Sequence, residues 1–298
     1  MLPPSTCRTR PHRKGPPINV AFIREVGPWR WVRRTAVRQF YKRVLKRDHA
    51  MQLPTGEWIT LPIADRFASE AFITEADVDW GSESLFASML KRQGVFLDVG
   101  AHIGYYSLYM LPRVVEVFSL EPDPRVRVLL EQNVGGRRKV TVIPSAVGAR
   151  PGRARFTLEP HSEVSHLADE GDDPGNQITV DVVTIDGFVR ARGLAVEAIK
   201  IDVEGHDTEA IKGALNVMAE QQPLVLTEAR PDAALFGLTH EVGYRVFAFV
   251  RHRRTRKKWF VELFVDRPHP GVTKMLFLVP DRLTGDFERL SGQLIPVP

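Results

Sequence analysis

Phe96-Leu97-Asp98-Val99-Gly100-Ala101-His102-Ile103-Gly104-Tyr105-Tyr106-Ser107 decides how the rest of this chain is read. An apolar run ends in an acid, two glycines follow, and an aromatic-rich stretch of helical character begins. This is a strand, a tight turn and a helix. In open α/β sheets, ligands bind outside the carboxyl ends of the strands. Glycine at such an end leaves room for a ligand, because a Cβ would fill that space. The spacing is Gly-x-x-x-Gly, without the Gly-x-Gly-x-x-Gly that holds a pyrophosphate at a helix N-terminus, which weighs against a dinucleotide. An ordinary strand–helix turn is the plainer alternative. Seventeen residues beyond Gly104 the next strand ends in Leu120-Glu121-Pro122-Asp123. Glu121 is placed to accept hydrogen bonds from vicinal ribose hydroxyls, or else to serve as a first-turn helix acid. Glycines after one strand and an acid after the next imply a nucleoside ligand. With no phosphate finger, S-adenosylmethionine ranks ahead of NAD.

Working outward, short apolar strands alternate with helices. Strands are expected at 95–99, 114–120, 140–143, 199–203, 224–227, 244–250 and 275–279, and helices at 103–111, 124–133 and 207–219. Residues 153–158 and 178–183 read as an inserted strand pair around the polar loop 161–176. Fully apolar strands joined by helices mean a sheet covered on both faces, a three-layer α/β fold. Ahead of it, 50–63 reads as a hairpin turning at Thr55-Gly56, and Trp80–Leu90 as a short helix introduced by Asp79.

The third informative stretch is Ile199-Lys200-Ile201-Asp202-Val203-Glu204-Gly205-His206-Asp207. Acids and a histidine gather where the ligand edge is expected. Together with 98–107 and Glu121-Pro122-Asp123, it resembles the FkbM family of S-adenosylmethionine-dependent methyltransferases over residues 80–230. The resemblance implies a Rossmann-like class I methyltransferase sheet of seven mostly parallel strands with the last antiparallel. It also implies O-methylation of a hydroxyl on a small molecule or saccharide. By carry-over, Asp98, Gly100, Gly104 and Glu121 line the cofactor site, His102 sits in the cofactor loop, and Tyr105 or else Tyr106 is placed to face a sulfonium, a cation that favours aromatic faces. The chain departs from the family at His102, where Asn is usual, and at Asp207-Thr208, where Glu-Leu or Glu-Phe is usual. Methyl transfer to a hydroxyl needs an aligned oxygen and a proton acceptor. Asp202, Glu204, His206 and Glu228 are the candidates. Asp202 and Glu228 also carry hard oxygen ligands, although no metal is expected. Lys200, inside an apolar strand, is expected to pair with one of these acids.

The 298 residues carry a net charge of +5, unevenly spread. Residues 1–47 hold thirteen Lys/Arg and one acid, so the remainder is acidic. Residues 1–28 read as a basic, disordered tail, 29–92 as an amphipathic-helix and hairpin cover, and 93–290 as the methyltransferase domain. From Trp29 to Leu45 apolar residues recur at three- and four-residue steps. The stripe either packs on the protein with its arginines solvated, or lies on an anionic membrane. Six cations in 251–258 read as a solvated hairpin tip or an anion grip. No run of 18 apolar residues spans a membrane. The basic N-terminus lacks the apolar region of a secretory signal, and the lone Cys7 suits a reducing compartment. The expected location is cytoplasmic, with peripheral attachment at the inner membrane face as an option. RNA methylation through the basic arm is one alternative function, with nucleic acid disfavoured as a partner for want of a recognition motif. A non-catalytic cofactor-binding or membrane-associated protein is the other.

Overall fold

A computed structural model describes residues 20–159, 165–168, 172–267, 271–292 and 294–295. Cys7, most of the expected tail, and parts of the 161–176 loop lie outside these residues. Two helices open the chain, α1 (Val20–Val26) and α2 (Pro28–Phe40), the second running into a π-turn over Tyr41–Leu45. Helix α1 therefore occupies part of the stretch expected to be disordered. A hairpin follows, β1 (His49–Gln52) and β2 (Trp58–Leu61), turning at Gly56 in the left-handed region. Helices α3 (Arg66–Thr74) and α4 (Ser82–Met89) complete the segment ahead of the main sheet.

The amphipathic stretch is reversed relative to the packing expectation. Arg38, 1% exposed, points inward, whereas Trp29 (79%), Phe40 (49%) and Val44 (64%) point to solvent. Hydrogen-bond geometry explains the inversion. Arg38 donates to the carbonyls of Leu61 and Pro62 at the end of β2 and to Ser69 Oγ. Arg34 donates to the Phe72 carbonyl in the last turn of α3, stacks on the Phe72 ring and pairs with Glu75. A planar five-donor fork satisfies carbonyls that an apolar side chain would leave bare.

The main unit begins with β3 (Val95–Val99), α5 (Tyr105–Met110), β4 (Glu116–Leu120), α6 (Pro124–Val134) and β5 (Val140–Ile143). Four strands then leave for a second sheet: β6 (Ser145–Val147), β7 (Gly152–Thr157), β8 (His166–Leu167) and β9 (Gln177–Val183). Their order is β6-β9-β7-β8, around a small core of Ala146, Phe156, Val180 and Val182. After α7 (Ile185–Arg192) the chain returns through β10 (Val196–Ile201), α8 (Asp207–Lys212), α9 (Leu215–Gln221), β11 (Leu224–Thr227) and α10 (Ala233–Glu241). The single helix expected over 207–219 is broken at Gly213, where the backbone passes so close to Gly148 that a Cβ would lie 2.3 Å from its carbonyl oxygen. The last elements are β12 (Tyr244–His252), β13 (Lys258–Glu262), β14 (Gly271–Pro280), α11 (Asp281–Leu290) and β15 (Leu294–Ile295).

The main sheet runs β15-β13-β12-β14-β11-β10-β3-β4-β5. The five strands from β11 to β5 are mutually parallel, and β14 is antiparallel to both its neighbours. Seven of these strands correspond to the seven expected, the last of them, β14, antiparallel as the resemblance implied. The other two, β13 and β15, extend the edge because the basic run folds the chain back on β12. That run is not wholly solvated. Arg251 and Lys258 are buried, the guanidinium 3.6 Å over the Trp80 ring and the ammonium donating to the Trp80 carbonyl. Alternate residues feed opposite faces. Phe96, Ala198, Leu226 and Phe277 join one core with Phe86, Phe247, Phe260 and Phe287. Leu97, Val99, Ile199, Ile201, Val225 and Leu278 join the other, beneath α7, α8 and α9.

Candidate active site

The order reverses between β3 and β10: from β3 the chain steps outward to β4 and β5, then returns to the other side of β3 as β10. Such a switch point leaves a crevice at the strand ends. A cavity opens there, walled by Val99, Leu120, Val147 and Phe156 on its apolar side and reaching Glu121, Asp202, Glu204 and Glu228.

Glu121, just past β4, is buried. Its two oxygens accept from the backbone N–H groups of His102 (2.8 Å) and Asp123 (2.9 Å). Burial pushes its carboxyl up to about 7, against the opposing pull of those two bonds. Each oxygen keeps a second lone pair for a ligand hydroxyl.

Lys200, on β10, is buried beneath the crevice. Its ammonium donates to the Gly100 carbonyl (2.8 Å), pairs with Asp202 (3.1 Å) and lies 3.9 Å from Asp98 Oδ1. This is the pairing expected of it. Asp98 accepts from Ser107 Oγ at 2.5 Å through its other oxygen, and Oδ1 has no hydrogen-bond partner. Burial raises its carboxyl, with Lys200 and Ser107 opposing.

On the opposite side, strand β10 ends at Ile201, so Asp202 and Val203, expected in the strand, lie beyond it, and Glu204 and Gly205 form a turn. Glu204 and Gly205 are both left-handed there, with φ of 44° and 85°. Glu228 follows β11. Carboxylate oxygens of Asp202, Glu204 and Glu228 lie within 4.8 Å of one another. Desolvation by the cavity wall, then repulsion from Asp202, raises Glu204 to about 7 and Glu228 to about 8. Three carboxylates in one mouth can take up a proton from a bound hydroxyl, and their oxygens form a hard-donor set for a cation.

Several expected residues sit differently. Gly104 and Asp98 do not line the cavity, whereas Gly100, His102, Tyr105 and Glu121 do. Both glycines are needed by the protein's own packing. A Cβ on Gly100 would lie 1.9 Å from the Asp202 carbonyl oxygen, and one on Gly104 would lie 2.8 Å from Leu130 Cδ1. His102 is left-handed, with φ 51°, and its ring is tied to the cover through Asp65 Oδ2 at 3.3 Å. Asp65 also caps α3. His206 does not line the cavity: its Nε2 lies 2.9 Å from the Leu167 carbonyl of the second sheet. The histidine precedes α8 and faces the inserted sheet, so proximity in sequence to Asp202 does not become proximity in the site.

Two groups were missed. Asp79 and Lys274 line the cavity and pair at 3.0 Å, and Tyr106 donates its hydroxyl to Asp79 at 2.6 Å. Lys274 also donates to the Val78 carbonyl. Its signal is a lysine interrupting the apolar strand β14, the same oddity that marked Lys200. Tyr105 instead donates to the Ala76 carbonyl and Glu83.

The strand order with one reversed strand, and a buried acid at the end of the strand after the glycine turn, define a Rossmann-like class I methyltransferase fold. Residues 98–254, just over half of the chain, match the methyltransferase FkbM domain, and the chain belongs to that family. It is 28% identical over 129 residues to the hexuronic acid methyltransferase AglP of Haloferax volcanii, covering 43% of this chain and 53% of that protein. The chain thus spans about half the length of this curated relative. Among solved structures, it is similar to methyltransferase FkbM from Methylobacillus flagellatus, with 20% identity, a TM-score of 0.40, and 70% of this chain against 52% of that one. Trm5b from Pyrococcus abyssi gives 12% identity, a TM-score of 0.42, and 78% against 56%.

Proposed function

We propose that the chain transfers a methyl group from S-adenosylmethionine to a hydroxyl of a saccharide or small molecule. The observation that carries this reading is that the buried Glu121 carboxylate and the Asp202, Glu204 and Glu228 cluster line one crevice. The cofactor, when bound, supplies a methyl group already activated on a sulfonium. Residues present fit it. Glu121 offers free lone pairs for the ribose hydroxyls, and the wall of Leu120, Val147 and Phe156 gives a purine an apolar bed. Glu228 would take the proton of the acceptor hydroxyl and Glu204, beside it, would hold the acceptor; the methyl carbon would pass to that oxygen as its bond to the cofactor's sulfur breaks, leaving a neutral thioether. Lys200 fixes Asp202 and the Gly100 carbonyl, so the crevice floor is set before any ligand arrives. The hexuronic acid named for the curated relative supports a saccharide acceptor.

Titration calorimetry with S-adenosylhomocysteine tests the cofactor half. Wild type should bind, and Glu121→Gln should lose at least about tenfold in affinity, the scale of a charge-assisted bond pair. Equal binding by both proteins would overturn the assignment. Tritiated-methyl transfer to uronic acid and neutral sugar glycosides tests the acceptor half.

A further inference from the structure

The outward face of α2 and its π-turn is apolar where a solvated helix would be polar. Trp29, Val32, Val37, Phe40 and Val44 are all exposed on it. The polar groups that would ordinarily face water are spent inside, as Arg34, Arg38 and Lys42 reach Phe72, Leu61, Pro62 and Ser69. Residues 28–47 contain eight Lys/Arg and no acid. Arg30, Arg33, Arg43, Lys46 and Arg47 are exposed beside or between the apolar side chains.

We propose that this face docks on an anionic lipid bilayer, with Trp29 and Phe40 seated at the headgroup boundary and the outward arginines on lipid phosphates. An exposed apolar strip interleaved with cations is the composition of a helix lying in the interface plane. Indole rings favour the headgroup level, where one side is wet and the other apolar. Arginine side chains can lay their stems on the apolar strip while their charged ends reach outward. Charge decides against a second copy of this chain as the occupant, since a two-fold contact would set these cations against themselves. Side-chain chemistry decides against RNA, because Val32, Val37 and Val44 present no flat surface on which a base can stack.

Flotation of the full chain with vesicles is the test. Binding is expected to a three-to-one mixture of phosphatidylcholine and phosphatidylglycerol, to fall with salt, and to be absent with phosphatidylcholine alone. The double variant Trp29→Ala/Phe40→Ala should reduce partitioning about tenfold or more, and Arg33→Glu/Arg43→Glu similarly. All four side chains are exposed, so unchanged thermal midpoints are expected to show that the fold survives. The proposal is overturned by failure of wild type to float with the anionic vesicles, by flotation that either double variant leaves intact, or by a solution dimer that Trp29→Ala/Phe40→Ala dissolves.

Discussion

Glu121 holds two opposed demands in one side chain. Backbone N–H groups favour its ionised form, while burial favours the neutral one and prevails, lifting its carboxyl from 4.5 to about 7. Between those two values the folded chain keeps a proton that the unfolded chain has already released. Stability without ligand therefore falls as pH rises through that window, by up to about 3 kcal/mol. In the proposed role ribose hydroxyls would donate to the ionised form, so affinity for S-adenosylhomocysteine should rise about tenfold from pH 6 to pH 8. Calorimetry in two buffers of different ionisation enthalpy should show proton release on binding at pH 7, and a flat profile would refute the role. A second prediction concerns Gly100. Its φ is 75°, and a Cβ there would overlap the Asp202 carbonyl. Gly100→Ala should destabilise by about 2–4 kcal/mol in urea unfolding, through strain and overpacking together. The glycine pattern was legible as a turn, but its cause was not. The neighbour that forbids a side chain at residue 100 comes from residue 202, and local spacing carries no record of it. His206 misled for the related reason that helix entry turned its ring toward Leu167.

At the scale of elements, the alternating strands and helices were readable because their faces repeat with fixed periods. The antiparallel run of the last expected strand came from resemblance. The cover was not readable, because amphipathicity reports that a helix has two faces and not which one finds partners. Arg38 settles the matter through four nearby acceptors, among them two carbonyls at the end of β2. Arg38→Met keeps volume but removes the donors. It should cost about 2–4 kcal/mol and raise amide exchange in β1, β2 and α3 ahead of β3 and β10. Exchange that rises uniformly would show that the cover is not anchored by this residue. The break between α8 and α9 was equally invisible, since Gly213 yields to a backbone contributed by Gly148.

Taken as a whole, the molecule brings its carboxylates to one mouth and lifts two of them toward neutrality. A proton acceptor must be ionised to work, so kcat/KM for methyl transfer should climb between about pH 6.5 and 8.5 as Glu204 and Glu228, at about 7 and about 8, lose their protons. Glu228→Gln should lower turnover at least about 10²-fold and flatten the upper part of that rise, with cofactor affinity within about threefold. His206→Ala should stay within about threefold of wild type, since its ring does not face the cavity. A rise that persists in Glu228→Gln would move the proton acceptor elsewhere.

The Asp79–Lys274 pair joins the segment ahead of β3 to the reversed strand β14, and the lysine reaches the carbonyl of a residue 196 positions earlier in sequence. A chain still emerging from the ribosome has the glycine turn and Glu121 long before it has that lysine. Until β14 slots in, Asp79 lacks the ammonium that balances it beside Glu228, whose carboxyl it already pushes upward. The lysine that balances the pocket is thus among the later residues made, and a product truncated ahead of β14 would keep the glycine turn yet leave Asp79 without its cation.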